Sequence, residues 1–108
     1  MPYVKRELRP PINTLVRKLA IQIAEFSAWN EDGSPKSEPE RLAEAAGLLN
    51  YAITKLLLGV TGEPRYWKFA IVAGTLQKVA AEYDRRVVAP YEDAKAKANG
   101  DVYPDPES

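Results

Sequence analysis

The side chains best suited to bind a polar ligand lie in the last quarter of the chain. Arg85 and Arg86 are adjacent guanidinium groups, and such groups make paired hydrogen bonds to phosphate or carboxylate. Glu82 offers a local explanation, because it precedes these arginines by three and four residues, which is helical salt-bridge spacing. The ligand-binding candidates of this segment are Arg85, Arg86, Tyr91, Asn99 and Tyr103.

A second candidate cluster lies near the middle of the sequence. Tyr51 and Lys55 are four residues apart and share one face of a predicted helix, with Asn50 beside them. An aromatic ring next to an ammonium and an amide can stack on a base and hold a phosphate. The alternative is that Tyr51 covers the edge of the core and Lys55 extends its ammonium into water. Tyr3, near the N-terminus, is a further candidate that could close over a pocket together with Tyr103.

Two other groups of residues carry alternative functions. Arg65, Tyr66 and Trp67 open a predicted helix, and aromatic and arginine side chains are typical anchors of protein interfaces. Glu40 and Glu44 lie one helical turn apart and could begin a Mg²⁺ site, but each has a basic neighbour, and Glu40 is needed to cap its helix. We therefore expect no metal site and no cofactor.

Composition narrows the classes of function. The 108 residues include 15 basic and 15 acidic side chains, so the formal charge is zero, which disfavours duplex nucleic acid as a partner. No Cys and no His are present, which excludes thiol nucleophiles, the commonest general base and the commonest transition-metal ligand. No apolar run reaches the about 18 residues of a membrane span, so we expect a cytoplasmic protein without a membrane partner.

The periodicity of apolar residues predicts a single all-α domain over residues 1–108. The third predicted helix is apolar over much of its circumference, which places it at the centre or against another subunit. We therefore expect a homo-oligomer. Pro90 is expected to kink or end that helix. The predicted segments are an extended arm (1–10), three main helices (11–28, 38–58 and 65–88), a short fourth helix (91–98) and a frayed tail (104–108).

Three stretches resemble a family of small uncharacterised proteins from phages, bacteria and archaea. They are Met1-Pro-Tyr-Val4, Leu49-Asn-Tyr-Ala-Ile-Thr-Lys-Leu56, and Tyr83-x-Arg-Arg-Val-Val-Ala-Pro-Tyr-Glu-Asp-x-Lys95 with Asn99-Gly-Asp-Val-Tyr103. The chain departs from the family at Leu48, where an acidic residue is commoner, and at Asp84, where Tyr is commoner. The resemblance implies a phage-like context but carries no activity with it.

The favoured hypothesis rests on analogy with a class of phage proteins. Phages encode small helical oligomers that act as sponges for nucleotide immune signals, and such proteins need aromatic and basic side chains but no catalytic residue. We therefore expect a non-enzymatic, anti-defence protein that binds a nucleotide-like anion at a subunit interface and so acts against the immune defence of the host. The alternatives are a module that binds and inhibits a host protein and, second, a metal-dependent nucleotide hydrolase.

Overall fold

The computed structural model describes residues 4–103, and over that range the protein is all-α. A 3₁₀ turn at Arg6–Leu8 leads into the first helix. The helices are α1 (Arg9–Ala28), α2 (Glu38–Thr61), α3 (Tyr66–Tyr83) and α4 (Ala89–Asn99), and a π-helical turn (Asp84–Val88) joins α3 to α4. Tyr3 and the predicted tail at 104–108 lie outside the described residues.

The extended arm is shorter than the sequence predicted. The 3₁₀ turn and the first residues of α1 replace its second half, and α1 begins at Arg9 rather than at residue 11. Pro10 and Pro11 are tolerated there because the first N–H groups of a helix have no carbonyl partner within it. The Arg9 Nε donates to the Val4 carbonyl at 2.8 Å, which ties the preceding segment to the start of the helix.

A compact polar loop joins α1 to α2. The carboxylate of Asp32 accepts hydrogen bonds from the Ser34 backbone N–H at 2.9 Å and from the Ser34 hydroxyl at 2.6 Å. These bonds lower the pKa of Asp32, because they favour the charged form. Gly33 has a φ of 85°, which glycine adopts without strain. The Lys36 N–H donates to the Ala28 carbonyl at 2.8 Å and closes the loop.

Residues close in sequence determine where α2 begins and ends. Ser37 caps the first turn, with its hydroxyl oxygen accepting from the Glu40 N–H at 3.4 Å and its hydroxyl donating to the Glu40 carboxylate at 2.7 Å. At the other end the helix passes Gly59 and stops at Gly62, one turn beyond the predicted end. Gly62 has a φ of 68°, a conformation that ends a helix, whereas Gly59 stays helical.

The helix does not end at Pro90. The structure widens the preceding turn instead, and the Ala89 N–H donates to the Asp84 carbonyl five residues earlier. Proline has no N–H and its ring clashes with the carbonyl four residues before it, so a wider turn accommodates it. α3, the π turn and α4 therefore form one uninterrupted helical run.

The described chain divides into two units, which are considered separately. The first extends to Glu63 and consists mainly of the hairpin of α1 and α2, and the second begins at Pro64 and holds the long helical run. Among residues 4–103 Ser27 is the only buried residue, and no apolar side chain is buried. The helices thus form without enclosing an apolar core in the described chain.

Removing the α2 cap should destabilise the fold. We expect Ser37→Ala to lower the free energy of unfolding by about 1 kcal/mol, because the Glu40 N–H loses its acceptor. Urea unfolding followed by circular dichroism measures this. Ser37→Asp is the matched control, since aspartate also caps helices, and an equal loss in both variants would contradict the role of the cap.

Candidate ligand-binding site

The two arginines of the predicted site share one carboxylate at the π turn. Arg85 Nη2 donates to both oxygens of Glu82, at 3.1 and 2.8 Å, and Arg86 Nε lies 3.8 Å from Oε2 of the same group. The local salt bridges that the spacing indicated are therefore present. Each guanidinium carries five N–H donors, so the pair has more donors than one carboxylate can accept. Asp84 adds a second carboxylate to this turn.

Tyr91 lies one turn further along, on α4. Its ring is 61% exposed, and the ammonium of Lys95 lies over it at 5.6 Å from the ring centre. An ammonium over an aromatic ring is favourable by about 0.5–1 kcal/mol at exposed sites. Sequence reasoning did not assign Lys95 to the site, although its spacing of four residues from Tyr91 was visible. The pair offers an aromatic surface next to a cation.

Asn99 and Tyr103 both lie at the end of α4. They line a shallow groove of about 410 Å³ where Gly100, with a φ of 87°, ends the helix. The Tyr103 N–H donates to the Asp101 carboxylate at 2.9 Å, which fixes the turn after the helix. The charged residues that line the groove are Glu92, Asp93, Lys95 and Asp101. Three carboxylates against one ammonium make this groove unfavourable for a phosphate, so an anionic group would lie nearer the arginines.

The remaining ligand-binding candidates belong to the first unit. Tyr51 and Lys55 lie one turn apart on α2, and the Tyr51 ring is 66% exposed. Asn50 accepts from the Thr54 hydroxyl through its backbone carbonyl, at 2.8 Å. The predicted site is thus divided between the two units. Asn50, Tyr51 and Lys55 lie within about one and a half turns on α2, whereas Arg85 and Asn99 are about 21 Å apart along the second helical run. Tyr3 lies outside the described residues.

The interface candidates stand at the start of α3. Arg65 precedes the helix, and its carbonyl accepts from the backbone of Lys68 at 3.0 Å. Tyr66 is 91% exposed and Trp67 is 63% exposed. The Lys68 ammonium lies 5.7 Å from the centre of the Trp67 ring. Two large aromatic side chains are therefore exposed to solvent at one end of the long helical run.

The carboxylates considered for a metal site have other partners. Glu40 accepts from the Ser37 hydroxyl, and Glu44 lies 3.6 Å from the Lys36 ammonium. Over residues 4–103 the structure shows no group of three or more carboxylates placed to hold a metal ion. The hydrolase alternative therefore gains no support from the geometry.

A second groove lies on the first unit, between α1 and α2. It has a volume of about 410 Å³, and its lining is apolar except for Arg41 at the rim. Arg41 Nη2 donates to Glu38 Oε1 at 2.6 Å, and this pairing lowers the pKa of Glu38 and raises that of Arg41. The residues that line the groove are Ala20, Ile23, Ala24, Arg41, Leu42, Ala45, Ala46 and Leu49.

Comparison with known proteins assigns the family. A family model described as a domain of unknown function (DUF6899) matches residues 1–102. The chain belongs to the DUF6899 family. The DUF6899 match includes every candidate residue named above except Tyr103, and it confirms membership of an uncharacterised family. No curated protein and no solved structure matches the chain. Within the described range, no helix has the length and apolarity needed to cross a membrane.

The ion pair at the groove rim gives a pH prediction. Arg41→Gln should raise the pKa of Glu38 toward its ordinary value, since the guanidinium favours the carboxylate form. Any stability from the pair is present above the unfolded-state pKa of Glu38 and is lost as the pH falls through the lower folded-state value. Carbon-13 NMR of the glutamate carboxyls measures the pKa. Arg17→Gln is the control, and an unchanged Glu38 pKa in Arg41→Gln would contradict the assignment.

Proposed function

We propose that this protein is a non-catalytic binding protein for an anionic, nucleotide-like molecule. The observation that carries the proposal is the arginine pair at the π turn, where two guanidinium groups share Glu82 one turn from an exposed tyrosine ring. Arginine pairs bind phosphate with charge-assisted hydrogen bonds, and an aromatic ring can stack on any of the nucleic-acid bases. π turns inside α-helices are also frequent at functional sites.

Each part of the ligand has a place in this proposal. The phosphate lies against Arg85 and Arg86, and the base stacks on Tyr91. The acidic groove beyond it disfavours phosphate, so Asn99 and Tyr103 form hydrogen bonds with the outer edge of the base. The ligand lies at an interface between subunits of a homo-oligomer, and the first unit offers Asn50, Tyr51 and Lys55 as a second group of candidate ligand contacts.

The chemistry of the chain favours binding over turnover. A sequence without Cys or His has neither a thiol nucleophile nor an imidazole base. The carboxylates best placed to start a metal site are engaged with a hydroxyl and an ammonium. In biological terms we propose a phage-encoded sponge that acts in the host cytoplasm and lowers the free concentration of a nucleotide immune signal.

Loss of one arginine should weaken nucleotide binding. We expect Arg86→Ala to lower affinity by about 10- to 150-fold, the equivalent of one charge-assisted hydrogen bond of about 1.5–3 kcal/mol. Isothermal titration calorimetry with cyclic and linear nucleotides, at one fixed salt concentration, measures the change.

Two controls make that result specific. Lys97→Ala removes a cation of α4 that has no assigned role in the site, and it should bind like the unmodified protein. Circular dichroism checks that Arg86→Ala keeps its helix content. Equal affinity in Arg86→Ala and the unmodified protein would remove Arg86 from the site, and lack of binding to any nucleotide would contradict the proposal itself.

A protein-binding module is the second candidate function. Its support is the exposure of Tyr66 and Trp67, because large aromatic side chains in solvent are typical anchors of protein interfaces. In this case the chain binds and inhibits a host protein through the start of α3.

The aromatic anchors give this candidate a direct test. We expect Trp67→Ala to weaken binding to a captured host protein by about 30-fold or more, the effect of losing a binding hot spot. Biolayer interferometry with the purified partner measures it. Val60→Ala is a matched control, since it truncates an exposed apolar residue on another helix. A partner that binds Trp67→Ala and the unmodified protein equally would exclude these anchors.

A further inference from the structure

The end of α4 carries a pair of residues that can react with each other. Of the four asparagines in the sequence, Asn99 alone is followed by a glycine, Gly100. The backbone nitrogen of the residue after an asparagine can attack the side-chain amide carbon and close a cyclic imide. A Cβ on that following residue obstructs the attack, and glycine has none. The residues that follow the other three asparagines all have a Cβ; they are Thr14, Glu31 and Tyr51.

The structure leaves open space around this pair. Gly100 has a φ of 87°, and beyond its neighbours in the chain no atom lies within 4 Å of the position that a Cβ would take. Asn99 and Gly100 are both exposed. The amide group of Asn99 therefore has room to turn toward the Gly100 nitrogen, and water can reach the product of that attack.

One hydrogen bond opposes the reaction. The Gly100 N–H donates to the Ala96 carbonyl at 2.8 Å, at the last turn of α4. The nitrogen must leave this bond before it can attack Asn99. No residue of α4 is buried, so opening of the last turn disrupts no buried packing and costs little free energy. The reactive conformation is therefore reached by fraying of one helix end, without unfolding of the chain.

The loop between α1 and α2 holds a comparable pair in a protected form. Asp32 precedes Gly33, but the Ser34 N–H and hydroxyl donate to the Asp32 carboxylate at 2.9 and 2.6 Å. These bonds lower the pKa of Asp32 and keep it charged, and a carboxylate is a poor target for a nucleophile. The Gly33 N–H also donates to the Asn30 carbonyl at 3.0 Å. Asn99 is thus the more reactive of the two positions.

We propose that Asn99 is a site of spontaneous deamidation. The Gly100 nitrogen loses its proton and attacks Cγ of Asn99, so that a new N–C bond forms while the bond from Cγ to Nδ2 breaks. Nδ2 takes up the proton and leaves as ammonia. Water then opens the cyclic imide at one of its two carbonyl carbons, which gives either aspartate or isoaspartate. The reaction consumes only water and needs no enzyme, oxidant or cofactor.

Deamidation changes the groove at the end of α4. Glu92, Asp93 and Asp101 already line it, and one more carboxylate makes it less favourable for an anionic ligand. The product also lacks the amide N–H donors of Asn99. In isoaspartate the backbone runs through the side chain, which adds a methylene group before Tyr103. If the proposed function holds, on which this step rests, the protein loses affinity for nucleotide as deamidation proceeds.

Peptide mass spectrometry of the full-length, ligand-free chain tests the modification. After incubation in warm neutral buffer, we expect the peptide that contains Asn99 to gain about one dalton, because an amide NH₂ is replaced by a hydroxyl. Fragmentation then distinguishes aspartate from isoaspartate. Peptides with the other asparagines should stay unchanged in the same sample. Asn99→Gln should release no ammonia, since its longer side chain would have to close a larger ring.

A free peptide of residues 93–103 sets the time over which the chain is followed. If the full-length chain keeps Asn99 intact after this peptide has deamidated completely, the proposal is overturned. Equal gains of mass at Asn13, Asn30 and Asn50 would overturn it as well, because they would show general degradation rather than a specific site.

Asn99→Asp separates the modification from its effect on binding. We expect its affinity for nucleotide to be about 2- to 10-fold lower, the equivalent of one hydrogen bond between neutral groups. Unchanged affinity in Asn99→Asp would overturn the loss of binding and leave the modification in place. Absence of nucleotide binding by the unmodified protein would contradict the proposed function alone, because ammonia release from Asn99 is measured without ligand.

Discussion

Burial of apolar surface is the constraint on which the rest of this structure depends. Folding gains about 25 cal/mol for each Å² of apolar surface removed from water, and it must offset the loss of chain entropy. Within residues 4–103, no apolar side chain is buried, although the helices form and Ser37 caps α2. Backbone hydrogen bonds define the helices, but they do not replace the free energy that burial of apolar surface would contribute. Apolar surface therefore remains exposed in each unit.

The π turn connects this constraint to the proposed binding site. Pro90 has no N–H, so the turn before it widens and one residue is taken up. The apolar row then continues through Val87 and Tyr91, while Arg85 and Arg86 come to lie to one side, with Glu82 between them. One backbone feature thus separates the exposed apolar residues Val87 and Tyr91 from the two arginines that we propose as the anion-binding groups.

The fold class could be predicted from the sequence because the spacing of apolar residues reflects local helical structure. The apolar spacing predicted helices, Ser37 predicted the start of α2, and the spacing of Glu82 to Arg85 predicted their salt bridge. The ends of the helices were harder to predict from the sequence. Gly59 and Gly62 are the same type of residue, and only Gly62 has a positive φ. Pro90 was expected to kink or end the helix. The helix does not end there, because a wider turn accommodates the proline, which the sequence alone does not reveal. The candidate site could be predicted only in part, because neighbours on one helix follow from spacing, whereas spacing does not show whether Tyr51 and Arg86 belong to one site.

The central claim is that the helices of this protein are stabilised by apolar contacts with another copy. Its most direct test is thermal unfolding of the ligand-free chain, followed by circular dichroism, over a hundredfold range of protein concentration. Association that is coupled to folding makes the midpoint depend on concentration. We expect the midpoint to fall steadily on dilution and the helix content to fall with it. A midpoint and a helix content that stay constant over the whole range would contradict the claim.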